Sequence, residues 1–151
     1  MTSYDDIIDL ALVSIEDYRL NKLSVNSPQD FKTVLDGFMI KGLSSFDNCT
    51  KDLADRDDIK RQFNFILSDI EKDILADYTI IAWLDKEIND TGQITGMLQN
   101  KHEATRYSEA NNLKSKMDLR VIKNEDVSVK KSNYALRNTP WSDWAGDNYG
   151  F

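Results

Sequence analysis

Cysteine, histidine, proline and glycine are all scarce in this chain. Its 151 residues hold one cysteine, one histidine, two prolines and six glycines. A single cysteine makes no internal disulfide, and one histidine with one cysteine cannot build a zinc site from those residue types alone. So little proline and glycine excludes collagen and flexible-linker compositions. Apolar runs are short: stretches such as Tyr78 to Leu84 fall far below the ~20 residues that span a bilayer. The start, Met1-Thr2-Ser3-Tyr4-Asp5-Asp6, carries acid where a secretory signal needs lysine or arginine. The expectation is a soluble chain of intracellular origin, in which the sequon Asn48-Cys49-Thr50 is a chance match.

What is present is a core and a great deal of charge. At 40% hydrophobic and 30% charged residues, 17.4 kDa makes one domain. A chain of this size buries roughly 70% of its unfolded surface. Its 26 acids against 19 bases leave a net charge of −7, so the surface as a whole has no attraction for a polyanion. The charge is uneven. Residues 1–90 hold 19 acids and 10 bases, whereas residues 101–137 hold 9 bases and 5 acids.

Apolar spacing is helical nearly throughout. Ser3 with Asp6 caps a helix expected over about 4–22, on which Tyr4, Ile8, Ala11, Ile15 and Tyr18 share a face. Ser27-Pro28-Gln29-Asp30 starts a second, whose face is Phe31, Val34, Leu35, Phe38, Met39, Leu43 and Phe46. Gly37 and Gly42 within it either permit close packing or mark its fraying end. Residues 47–60 read as a loop, and 62–67 as a short extended segment. Ser68-Asp69-Ile70-Glu71 is a capping box opening a helix apolar around more than half its circumference, the pattern of a central bundle element. Asp90-Thr91-Gly92 is expected to end or kink it. A last helix runs from about Thr105 into the 120s or 130s, with Tyr107, Ala110, Leu113, Met117 and Val121 as its stripe. The pattern then becomes ambiguous, because Val127 and Val129 alternate like a strand. The fold expected is mainly α, a bundle of about four helices over 1–137, followed by an extended aromatic C-terminal tail over 138–151.

Catalytic signals are weak. Asp52, Asp55, Asp57 and Asp58 lack the glycine and terminal glutamate of a calcium loop and read as solvated. His102 sits in a polar stretch beside Lys101 and Glu103 with no nucleophile motif, as a surface histidine would. Cys49 has no basic neighbourhood to activate it. No phosphate-cradling glycine loop is present. No enzyme activity, metal or cofactor is expected.

Two features stand out. Lys114, Lys116, Arg120, Lys123, Lys130 and Lys131 form either a solvated helix face or a docking strip for an acidic surface. Trp141, Trp144, Tyr149 and Phe151 put four aromatics in eleven residues, either as interface anchors or as a completion of the chain's own core. The expected partner contacts are these four aromatics with Lys114, Lys130 and Lys131.

The run Ser68-Asp69-Ile70-Glu71-Lys72-Asp73-Ile74-Leu75-Ala76 to Trp83-Leu84, and Tyr107-Ser108-Glu109-Ala110-Asn111-Asn112-Leu113-Lys114, resemble the head–tail adaptor (connector) proteins of long-tailed bacteriophages. Leu35-Asp36-Gly37-Phe38 is similar too. The likeness covers residues 1–137, and Pro140-Trp141-Ser142-Asp143-Trp144 fits it less specifically. It implies a structural protein of the virion neck, made in the host cytoplasm. Such a protein assembles as a ring, typically of twelve copies, and extends the DNA channel between the portal and the next neck or tail component. DNA would pass without specific binding, which suits a net-acidic subunit. Head-to-tail closure needs two non-identical complementary surfaces, for which the acidic first part and the basic late helix are candidates. The fourteen residues from 138 to 151 span at most about 45–50 Å, enough to reach another subunit. The alternative is a small helical protein-binding or regulatory module with no virion role.

Overall fold

A computed structural model describes residues 1–15, 18–97 and 103–140. In chain order the elements are β1 (Thr2–Ser3), α1 (Tyr4–Leu12), α2 (Tyr18–Asn26), α3 (Pro28–Leu43), β2 (Arg56–Asp57), β3 (Gln62–Phe63), α4 (Asp69–Met97) and α5 (Glu103–Asn138). The architecture is the mainly α bundle expected, with α4 at its centre against α1, α3 and α5.

Both capping boxes form. The Asp5 amide donates to Ser3 Oγ at 3.1 Å, and Asp6 accepts from the Ser3 amide at 3.1 Å. At α4 the Ser68 amide donates to Glu71 Oε2 at 2.7 Å, while the Glu71 amide points at Ser68 Oγ at 3.4 Å. Each box satisfies orphan first-turn amides that a helix start otherwise leaves to water. The core between the helices takes Tyr4, Ile7 and Ile8 from α1 and Leu35 and Met39 from α3. Ile74, Leu75 and Leu84 come from α4, and Val127 and Tyr134 from α5.

Gly42 sets α3 hard against Tyr78 of α4. A Cβ there would meet Tyr78 Cβ at 2.9 Å and its carbonyl carbon at 3.0 Å, so this glycine serves close packing. Gly37 faces open space.

A small antiparallel sheet, ordered β1-β3-β2, closes one side of the bundle, with Thr2 and Arg56 both paired to Phe63. Arg61, in the turn before β3, adopts φ 54°, a left-handed conformation costly for a side chain with a Cβ. Its guanidinium repays the strain by gripping two helices. Nε and Nη2 donate to the Asp36 carboxylate of α3 at 2.7 and 2.8 Å, and Nη2 reaches Asp5 of α1 at 2.7 Å.

Three expectations are corrected. The first helix is two: α1 stops at Leu12, where Ser14 and Ile15 turn back to the carbonyls of Ala11 and Leu12, and α2 extends to Asn26. Gly92 does not end α4, which runs on to Met97. Val127 and Val129 lie in a helix, Val127 buried and Val129 exposed, because tertiary packing of Val127 on α4 outweighs β-branched preference.

Candidate functional site

The longest helix carries the site. On α5 the residues turned toward the bundle are Leu113, Lys116, Arg120, Lys123, Val127, Lys130 and Tyr134, spaced by steps of three and four. Their partners descend α4 as α5 ascends, the register of an antiparallel hairpin. Lys116 Nζ donates to Glu87 Oε2 at 2.9 Å and Thr91 Oγ1 at 3.1 Å. Arg120 pairs with Asp85, and Lys123 lies 3.5 Å from Asp77. Lys130 bridges Asp77 and Asp73 at 2.5 and 2.7 Å. Tyr134 donates to Glu71 Oε1 at 2.8 Å. Lys131, beside this row, pairs with Asp47 and donates to the Ser45 carbonyl at 3.1 Å.

These contacts displace proton equilibria in a consistent sense. Burial works against the charge on Lys130, but the hydrogen bonds to Asp73 and Asp77 outweigh it and hold the ammonium above its ordinary range. The hydrogen bond to Asp47 raises Lys131 in the same way. Burial tends to raise the Glu71 carboxyl, yet the Ser68 amide and the Tyr134 hydroxyl prevail, leaving it below the usual glutamate value. Burial, first of all, pushes the Tyr134 phenol up.

The opposite face of α5 carries exposed aliphatics among polar residues such as Asp118, Glu125 and Ser132. Ile122, Val129 and Leu136, each seven residues from the next, are 54%, 61% and 56% exposed. Val121 and Tyr107, elsewhere on the helix surface, are 54% and 73% exposed. The helix therefore turns four of its cations (Lys116, Arg120, Lys123 and Lys130) inward beside Val127 and Tyr134, and leaves Ile122, Val129 and Leu136 outward. A basic strip facing solvent, one of the readings the sequence left open, is not what the fold builds. Five of the bases of α5 pair instead with acids of the same chain.

Of the residues expected to contact partners, Lys130 and Lys131 are engaged by the chain's own acids, and Lys114 is exposed with no ion-pair partner among the described residues. Trp141, Trp144, Tyr149 and Phe151 lie outside the described residues, as does His102. The carboxylates of the loop are occupied locally. Asp52 accepts from the Ala54 amide, Asp55 from the Asn64 side chain, Asp57 from the Ile59 and Lys60 amides, and Asp58 from Tyr4 and Arg56. Among the described residues no group of three or more His, Cys, Asp or Glu could hold a metal ion, and no helix is long and apolar enough to cross a membrane. Burial raises the half-buried Cys49 thiol, away from reactivity.

No family model, curated protein or solved structure matches this chain. What the chain does must be argued from its own surface.

One further recess adjoins α5. An open groove of about 820 Å³ lies between α1 and the C-terminal end of α5, lined by Asp9, Leu10, Val13, Asn133 and Arg137 among others. Arg137, on its rim, is the last residue but one of α5. Sequence reasoning missed both the outward line and the Arg61 clamp. The seven-residue spacing of Ile122, Val129 and Leu136 was a readable signal for the first. The clamp has no local signature, since it joins residues 25 and 56 positions apart.

Proposed function

We propose that the protein is a structural adaptor of a bacteriophage neck, without catalysis, joining the portal to the next neck or tail component as a ring that lengthens the DNA channel. The reading begins from the resemblance of the α4 and α5 segments to head–tail adaptors. The observation that supports it best is the outward placement of Ile122, Val129 and Leu136 on α5. A helix that uses its cations to hold its own bundle and turns a line of aliphatics to water is built for contact with another macromolecule. The aromatic terminus adds a second apolar element at the end of the same helix. Its aromatics are the kind that anchor interfaces. The net charge of −7 suits a wall past which DNA must slide without being gripped.

Partner contacts in this reading fall to the outward face of α5 and to Trp141, Trp144, Tyr149 and Phe151, with Lys114 beside them. Lys130 and Lys131 serve the fold. Truncation after Pro140 tests the terminus: helicity stays near that of the full chain, and attachment to the portal or a neighbouring subunit is lost. Unchanged attachment by the truncated chain would refute the role given to those aromatics. A regulatory module with no virion role is the outcome to which absence from purified particles would point.

A further inference from the structure

We infer that the groove between α1, the start of α4 and the end of α5 is the docking site of the chain's own aromatic segment, residues 141–151, in the free subunit. The docking does not depend on the neck reading. What rests on that reading is its purpose, which is to keep the aromatics covered until the portal or a neighbouring protein takes them.

Three observations select the occupant. The first is place. Lys130, Asn133 and Arg137 form the α5 wall of the groove, and α5 ends one residue after Arg137. That wall is about 10 Å long at 1.5 Å per residue. The eleven residues from 141 to 151 span about 36–40 Å when extended, so they can reverse direction after Pro140 and still run the length of the groove. The second is apolar surface. The α1 side of the groove offers Leu10, 44% exposed, and Val13, 85% exposed, and its volume of about 820 Å³ has room for several rings. Four aromatics at about 150–250 Å² each exceed the few hundred Å² of apolar patch that a monomer usually leaves in water. The third is polar chemistry. Most charges around the groove are already paired: Lys130 with Asp73, Lys72 with Asp69, and Asp6 with the Ser3 amide. Asp9 and Arg137 have no side-chain partner among the described residues. A buried indole needs an acceptor for its N–H, which the Asp9 carboxylate supplies. A guanidinium stacks on rings and pairs with carboxylates, so Arg137 matches Trp141 and Trp144 with Asp143 and Asp147 between and beyond them. One free acid and one free base draw neither a polyanion nor a polycation; they suit a segment that brings indoles and acids together.

The test is digestion of the folded full chain by a protease that cuts after aromatic residues, timed for cleavage within 141–151, on the wild type and on Leu10→Glu/Val13→Glu. Glutamate is a good helix former and both sites reach solvent, so the variant keeps its fold, checked by circular dichroism. Val13→Glu alone, at the more exposed site, serves as a milder second variant. Cleavage follows the population in which the segment is free, so we expect it roughly tenfold faster in the double variant. The wild-type rate should stay constant as the chain is diluted. Equal cleavage of the wild type and both variants would overturn the inference. So would wild-type protection that fades on dilution, because a second copy would then hold the segment. Acceleration by Ile122→Gln/Val129→Gln in place of the groove variants would overturn it too, since the segment would then lie on the outward face of α5. Presence in purified virions is scored separately. A segment protected by the groove, in a protein absent from virions, would keep the inference and remove the neck reading. Equal cleavage of a protein found at the portal junction would remove the inference and keep the neck.

Discussion

The Tyr134 hydroxyl donates to Glu71 Oε1 at 2.8 Å and accepts from the Thr50 amide at 2.9 Å, tying α5, the start of α4 and the preceding loop at one oxygen. Glu71 is also the acid of the α4 capping box. Tyr134→Phe removes the shared hydroxyl and leaves a buried carboxylate oxygen short of a donor. The expected loss is about 1–3 kcal/mol of unfolding free energy, read by urea denaturation with an unchanged slope.

The same carboxylate predicts a pH dependence. Its folded pKa lies below the ordinary value of 4.5, so the folded state holds the charged form more tightly than the unfolded state does. That contribution is complete above the unfolded pKa and is lost as pH falls through the folded one. Stability measured from neutral pH downward should therefore decline below about pH 4.5, and Glu71→Gln should flatten part of that decline while lowering stability at pH 7.

Two glycines of one helix should respond with opposite signs. Gly42→Ala places a Cβ against Tyr78 backbone and is expected to cost about 1–3 kcal/mol by overpacking. Gly37→Ala meets nothing within 4 Å and should stabilise the protein by about 0.5–1 kcal/mol. Thermal melts of the pair, side by side, check both.

The lysines of α5 should likewise divide. Lys130→Met withdraws a cation from Asp73 and from Asp77, whose side chain is 5% exposed, and is expected to destabilise by about 1–3 kcal/mol. Lys114→Ala, at an exposed site, should stay within about 0.5 kcal/mol of the wild type. Denaturant titration separates the two.

Much of this fold was legible because its signals are local. Ser3–Asp6 and Ser68–Glu71 announce their helices within one turn, and Pro28 starts α3 where expected. The apolar face from Phe31 to Phe46 turns inward as a period of 3.6 requires. What escaped depends on residues distant in sequence. Nothing in the period of Ile8, Ala11 and Ile15 marks the stop after Leu12. Arg61 accepts a left-handed backbone for the sake of Asp36 and Asp5.

The site itself was half legible. Composition showed that the late helix is basic, but only a partner helix decides which way its lysines turn. The acids of α4 recur at Asp73, Asp77 and Asp85, with Glu87 beyond, and draw them inward. That leaves the aliphatics outside. The aromatic terminus was legible as composition alone.

The most direct measurement is side-chain-resolution imaging of the junction between capsid and tail in the particle that carries this protein. The account predicts a closed ring of this chain directly below the portal, with Ile122, Val129 and Leu136 of each copy covered by a neighbouring protein. A junction without this chain, or a ring in which those side chains face open solvent, would contradict it.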